Sequence, residues 1–195
     1  MSVRITGGID RGRRLRTYTG GNLRPTSDRV RSAIFSILGA KALVGARALD
    51  LYAGTGALGI EALSRGADWV DMIETNAKRC QQIRENLRGL SMEDRSKVYR
   101  ARVENILDSL PDTYNLIFAD PPYHTDLWAT LMDKLNREGL TTQDSTVIIE
   151  HRYDSVLAEN YSKLFRVKSR RYGDTAITFY KIGETNVQSH LPGQL

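Results

Sequence analysis

From about residue 46 the apolar positions of this chain change period again and again. Apolar runs at residues 48–52, 69–73, 98–101, 116–119 and 146–149 have the length and β-branched or aromatic content of buried strands. The stretches between them, 58–65, 77–90, 103–110 and 127–136, place apolar residues at helical spacing. Strand and helix in strict alternation predict βαβ units, and so a parallel sheet with helices on both faces. Two further runs, 165–170 and 175–182, are joined only by Arg171-Tyr172-Gly173-Asp174. A link that short makes a hairpin and not a helical crossover, so the last strand is predicted to run antiparallel.

Ahead of this body, Ile5-Thr6-Gly7-Gly8-Ile9 and Leu15 alternate in β fashion across glycines, which predicts a hairpin or two short strands. Arg24-Pro25-Thr26-Ser27-Asp28 reads as a helix entry, with Thr26 or Ser27 as cap and Asp28 at the positive end of the helix. Val30, Ala33, Ile34, Ile37 and Leu38 then keep helical spacing until Gly39. The reading divides the chain into an arm at 1–22, a domain at 23–182 with a leading helix at about 27–38, and a polar tail at 183–195 predicted to be disordered.

Charge changes the picture of the front end. Residues 1–47 hold nine arginines and one lysine against Asp10 and Asp28, whereas the rest carries 18 basic and 21 acidic residues. A basic arm on a mildly acidic body suits a polyanion, with Arg4, Arg11, Arg13, Arg14, Arg16, Arg24, Arg29 and Arg31 as candidate contacts. The single cysteine, Cys80, allows no internal disulfide, and no Cys/His cluster suggests a metal. No run of apolar residues is long enough to span a membrane, and the N-terminus lacks a signal-peptide core. A reducing cytoplasm is the expected compartment.

The first strand runs into Asp50-Leu51-Tyr52-Ala53-Gly54-Thr55-Gly56-Ala57-Leu58-Gly59, a G-x-G-x-x-G turn. Twenty positions after Gly54, Glu74 ends the second strand, where an acid binds ribose hydroxyls. A dinucleotide would set its pyrophosphate against the helix that follows, and Asp50 would repel it. S-adenosylmethionine carries positive charge and no phosphate, so the same acid favours it. Asp50, Tyr52, Ala53, Gly54, Thr55, Gly56, Glu74 and Thr75 are therefore candidate cofactor contacts, with Ile73 and Val103 placed to sandwich an adenine.

After the fourth strand comes Asp120-Pro121-Pro122-Tyr123. Proline restricts both itself and the residue before it, so the Asp120 and Pro121 carbonyls project from a stiff loop. They are candidate acceptors for the two hydrogens of an exocyclic amine, while Tyr123 offers its ring to the base, at about 1–3 kcal/mol for such stacking. A plain strand-ending turn would use the same residues. The glycine turn, Glu74 and this corner all fall at the carboxyl edge of the sheet, where open α/β folds bind ligands.

With these blocks in view, the chain resembles the RsmD family of 16S ribosomal RNA guanine-N2 methyltransferases over residues 3–182. The likeness rests on Arg4-Ile5-Thr6-Gly7-Gly8 through Arg11-Gly12-Arg13-Arg14-Leu15, on Arg24-Pro25-Thr26-Ser27-Asp28-Arg29-Val30-Arg31 with Phe35, and on residues 49–67. Asp120-Pro121-Pro122-Tyr123 and Tyr172-Gly173-Asp174-Thr175 complete it. The resemblance implies a Rossmann-like class I methyltransferase fold, with a seven-stranded, mostly parallel sheet, its last strand antiparallel, and a small β-hairpin arm. It also implies S-adenosylmethionine as cofactor, Asp120, Pro121, Pro122 and Tyr123 as catalytic residues, and 16S rRNA or the small ribosomal subunit as partner. A monomer is expected because no spare amphipathic element is evident, and no metal is expected because the sulfonium is already activated for displacement. Where such enzymes often carry an Asp toward the adenine, this chain has Ala101-Arg102-Val103-Glu104, so Arg102 and Val103, or alternatively Glu104, stand in as candidate contacts. The alternative is a DNA adenine-N6 or cytosine-N4 methyltransferase, which the corner also serves; a catalytically silent RNA-binding factor is a third reading. His124, His151, Cys80, Trp69 and Trp128 read as surface or packing residues, and Lys168, Arg170 and Arg171 form a second basic patch.

Overall fold

The computed structural model describes residues 3–18, 26–121, 128–136 and 139–183. The chain opens with β1 (Val3–Arg4) and β2 (Arg14–Leu15), paired antiparallel, and continues into α1 (Asp28–Leu38). Five parallel strands follow: β3 (Arg47–Asp50), β4 (Trp69–Glu74), β5 (Ser96–Arg100), β6 (Tyr114–Ala119) and β7 (Thr141–Arg152). Between them lie α2 (Ala57–Ser64), α3 (Ala77–Gly89), α4 (Val103–Ile106) and α5 (Trp128–Leu135). The chain closes with β8 (Asn160–Tyr161), β9 (Leu164–Tyr172) and β10 (Thr175–Ile182).

Strand order is β5-β4-β3-β6-β7-β10-β9-β8, and β10 runs antiparallel to both β7 and β9, as the short hairpin link required. The sheet has eight strands where seven were expected. The extra one, β8, is two residues long and pairs only with Phe165 and Leu164, too short to leave a period in the sequence. The run at 146–149 is likewise only the buried centre of β7, whose first residues, Thr141–Asp144, are polar and partly exposed. The helix expected over 103–110 stops as α-helix at Ile106 and tightens into a 3₁₀ turn over Leu107–Ser109.

Each face of the sheet has its own core. One collects Ile34 and Phe35 of α1, Ile60 and Leu63 of α2, and Ile83 and Leu87 of α3 against Phe118, Ile148, Ile177 and Phe179. The other packs Val103 of α4 and Leu131, Met132 and Leu135 of α5 against Ile117, Val147, Ile149 and Tyr180. Val3, Ile5 and Leu15 are buried in the first of these cores, so the described part of the arm packs onto the body. The boundary expected between residues 22 and 23 lies outside the described residues, as does the tail from 184 onward.

α1 begins where expected. Ser27 accepts the Val30 N–H at 3.2 Å as N-cap, Asp28 sits in the first turn, and Gly39, at φ 74°, donates its N–H to the Phe35 carbonyl. Four residues of the helix are buried, and one of them is Arg31.

Candidate active site

β3 is the strand from which the order departs in both directions, through β4 and β5 on one side and β6 and β7 on the other. Loops leaving its carboxyl end and that of β6 therefore diverge around a crevice, the position at which such sheets bind ligands. Asp50 pairs with Phe118 across these two strands, and the Leu51 N–H donates to the Phe118 carbonyl at 3.0 Å. The glycine turn after Asp50 and the Asp120-Pro121 corner thus leave adjacent strands side by side. Pro122 and Tyr123 lie outside the described residues, as do His124 and Arg24.

Backbone bonds hold the glycine turn in place. Ala53 donates to the Ile73 carbonyl at 2.9 Å, Gly54 donates to Glu74 Oε2 at 3.0 Å, and Gly59 donates to Asp50 Oδ2 at 3.1 Å. Gly56, the residue before α2, has a left-handed backbone at φ 75°. Gly59 is needed for a different reason. A Cβ there would lie 3.0 Å from Val70 Cγ1 and 3.1 Å from Met72, so its absence lets α2 sit close on β4. Glu74 also accepts the Asn76 N–H on Oε1 at 2.7 Å, and Thr75 Oγ1 approaches the same oxygen at 3.3 Å. Oε1 thus carries two donors, while Oε2, with one, keeps a second lone pair that leaves Glu74 capacity for a ribose hydroxyl. Ile73 and Val103 belong to one buried apolar cluster, with Tyr52 and Ala101 packed against it, while Arg102 is exposed just before α4.

Acid gathers at this edge. Asp50, Glu74 and Glu150 are buried, and Asp120 follows β6 beside them. Burial pushes the Asp50 carboxyl up to about 7, the Gly59 N–H working against that and the nearby Glu74 with it. Asp120 is driven well above the ordinary carboxyl range by burial first and by Glu150 next; a hydrogen bond from Thr26 opposes the shift and Asp50 adds to it. Tyr52 is raised to about 12 by burial and by Glu104. Repulsion of this kind is relieved by a cation and aggravated by a phosphate, so the residues present fit a positively charged cofactor.

The expected basic contacts separate into groups. Arg4, Arg11, Arg14, Arg16 and Arg29 are exposed. Arg13 is partly committed, bonding Asp10 Oδ1 at 2.9 Å and the Gly89 carbonyl at 2.6 Å. Arg31 corrects the sequence reading. It is fully buried, with Nε on Glu61 Oε2 at 2.8 Å, Nη2 on Asp28 Oδ1 at 2.9 Å and on the Arg4 carbonyl, and Nη1 on the Thr26 carbonyl at 3.2 Å. It has no surface to offer a phosphate and acts as a tie within the fold. A cleft of about 410 Å³ lined by Arg13, Arg14, Arg16, Asn86 and Arg88 runs between β2 and the end of α3, away from the acid corner.

Three residues that bear on the site, directly or through the fold that supports it, were not singled out in the sequence. Glu150 closes an apolar run at the carboxyl edge of β7, and Glu61 is the only charged residue of the wholly buried α2. Both are acids set within apolar runs, a legible signal. Thr26 was seen only as a possible cap, yet its Oγ1 donates to Asp120 Oδ2 at 3.2 Å, a contact 94 positions apart that no local pattern contains.

A switch-point crevice with a glycine turn, an acid ending the second strand of the βαβ unit and an acid–proline corner, on this strand order, is that of an S-adenosylmethionine-dependent methyltransferase. The model of the family described as Conserved hypothetical protein 95 matches residues 3–181. Ribosomal RNA small subunit methyltransferase D of Escherichia coli K12 is 35% identical over 155 residues, 80% of this chain and 77% of that protein. The protein of the same name in Haemophilus influenzae is 32% identical and aligns over 83% of this chain and 86% of its own. Among solved structures, Escherichia coli yhhF superposes with a TM-score of 0.80 at 32% identity, covering 93% of this chain and 98% of that one. The Thermus thermophilus hypothetical protein TTHA0928 gives 0.78 at 29%, covering 92% and 99%. The chain belongs to this family, that of the ribosomal RNA small subunit methyltransferases D.

Proposed function

We propose that this chain transfers the methyl group of S-adenosylmethionine to the exocyclic N2 amine of a guanine in small-subunit (16S) ribosomal RNA, acting as a monomer in the cytoplasm. The observation that carries the reading is the pairing of Asp50 with Phe118, which sets the glycine turn and the Asp120-Pro121 corner on neighbouring strands, about 5 Å apart. The relatives named for small-subunit ribosomal RNA supply the substrate class.

The cofactor supplies an electrophilic methyl on positively charged sulfur. What the chain adds is placement and charge. Asp50 and Glu74 hold the turn that receives the cofactor and provide negative potential at the mouth. The Asp120 carboxylate, in place of the Asp120 carbonyl expected from the sequence, and the Pro121 carbonyl accept the two hydrogens of the target amine, which favours the pyramidal nitrogen whose lone pair attacks the methyl carbon. As the nitrogen–carbon bond forms and the sulfur–carbon bond breaks, the nitrogen becomes cationic and sheds a proton. Asp120, with its carboxyl raised by burial and by Glu150, is a competent acceptor for it. The base must leave its stack to reach this corner.

Two basic regions support an RNA partner. The arm's Arg13 meets Gly89, the last residue of α3, and that 13-residue helix starts just past the carboxyl end of β4, so the tip of the arm lies about 20 Å down the molecule from the crevice. Lys168, Arg170 and Arg171 on β9 lie nearer. Arg170 stands in one row with Ile177 and Glu150, on a strand three places from β6 and so about 15 Å from that side of the crevice.

Transfer of labelled methyl to small subunits, naked rRNA and DNA, run in parallel, tests the reading. Label in the N2 position of guanine from the small-subunit RNA is expected. Label confined to DNA, on adenine N6 or cytosine N4, overturns it.

A further inference from the structure

We propose that Thr26 is a positioning residue for methyl transfer, its hydroxyl donating to Asp120 Oδ2 and holding that carboxylate in place for the target amine. The inference rests on the reading of Asp120 as acceptor for the amine, and it assigns a task to the Arg24-Pro25-Thr26-Ser27-Asp28 segment other than capping α1 or gripping RNA.

Three observations carry it. The contact is direct, 3.2 Å between Thr26 Oγ1 and Asp120 Oδ2, and both groups are partly buried. Thr26 is itself held. Its carbonyl accepts from Arg31 Nη1 at 3.2 Å, and Ser27 beside it is fixed as the N-cap of α1. Arg31 in turn is locked by Glu61 of α2, which also accepts the Thr6 N–H of the arm at 3.1 Å. One buried arginine therefore ties together the arm, the helix that follows the glycine turn, and the segment touching Asp120. A hydroxyl on so short and braced a tether has little freedom to leave its acceptor.

The hydrogen bond also has an electrostatic task. Asp120 is faced by Glu150 from β7 and by Asp50 from β3, both of which disfavour its ionised form, as does burial. The Thr26 hydroxyl works in the opposite direction, favouring the carboxylate that accepts the amine hydrogen.

Thr26→Val keeps the shape and removes the donor, and Thr26→Ser keeps the donor. Turnover on small subunits, cofactor affinity by calorimetry, and a 13C NMR titration of the Asp120 carboxyl in the same proteins are the measurements. For Thr26→Val, kcat is expected to fall about tenfold to a hundredfold, in the range for a lost bond to a charged group. The acid limb of its pH profile and the Asp120 titration move to higher pH, the cofactor dissociation constant stays within about twofold, and Thr26→Ser restores wild-type behaviour. A Thr26→Val protein with an unmoved Asp120 titration overturns the inference, whatever its activity. Wild-type protein that transfers no methyl to any RNA, while the titration moves as expected, would place the fault in the functional reading and leave the contact standing.

Discussion

Arg31→Met is the substitution that most severely tests how the fold supports the site. The side chain is fully buried and spreads its guanidinium over Glu61, Asp28 and the carbonyls of Arg4 and Thr26. Methionine fills much of the volume but removes the charge. Glu61 then stays buried with Arg65 at 2.7 Å and Thr6 as its remaining partners, and two backbone carbonyls lose a donor. Breaking one side of a buried pair costs about 3–5 kcal/mol. For a chain of this size each kcal/mol lowers the unfolding midpoint by about 2–4 °C, so a fall of about 6–20 °C is expected. Thermal unfolding followed by circular dichroism measures it, and urea unfolding reads the same loss as a lower midpoint at unchanged slope. Arg29→Met, two positions away on the exposed face of α1, is the control and is expected to change stability by no more than about 0.5 kcal/mol. An Arg31→Met protein within about 1 kcal/mol of wild type would refute the argument and return Arg31 to the surface cations.

Three further expectations follow from particular contacts. Gly59→Ala puts a Cβ 3.0 Å from Val70 and 3.1 Å from Met72, an overpacking that costs about 1–3 kcal/mol and is read from the urea midpoint; a neutral result would mean α2 shifts freely on β4. Asp50 holds its proton up to about pH 7 in the folded chain, whereas an unfolded Asp ionises near 4, so this group withdraws stability as pH climbs from about 4 to 7. A cationic cofactor favours the ionised form, so calorimetry is expected to show affinity weakening, by up to about tenfold per unit, as pH drops below about 7; a flat profile would remove Asp50 from the cofactor site. Replacing Arg170 and Arg171 by alanine is expected to raise KM for the small subunit and reduce the salt dependence of binding by about two phosphate contacts; an unaltered slope would take β9 out of the RNA footprint.

The alternation of period along residues 46–182, the glycine spacing and the short Arg171–Asp174 link were enough to place the strands, the helices on both faces, the antiparallel last strand and the edge at which the site lies. They suffice because burial on a pleated or helical face imposes a repeat that neighbours in the chain must share. The cap of α1, narrowed to Thr26 or Ser27, was legible for the same local reason.

Charge was less legible. Arg14 and Arg31 look alike along the chain, yet one is exposed and the other is fully buried, because α1 turns Arg31 toward the single buried acid of α2. The bond from Thr26 to Asp120, the approach of Glu150 and the raised carboxyl of Asp50 all join residues whose separation in sequence carries no signal. An arginine's task depends on which acid the folded chain sets beside it, and a carboxyl's proton affinity on how much water the fold removes. Those are properties of packing in three dimensions, and only the tertiary structure decides them.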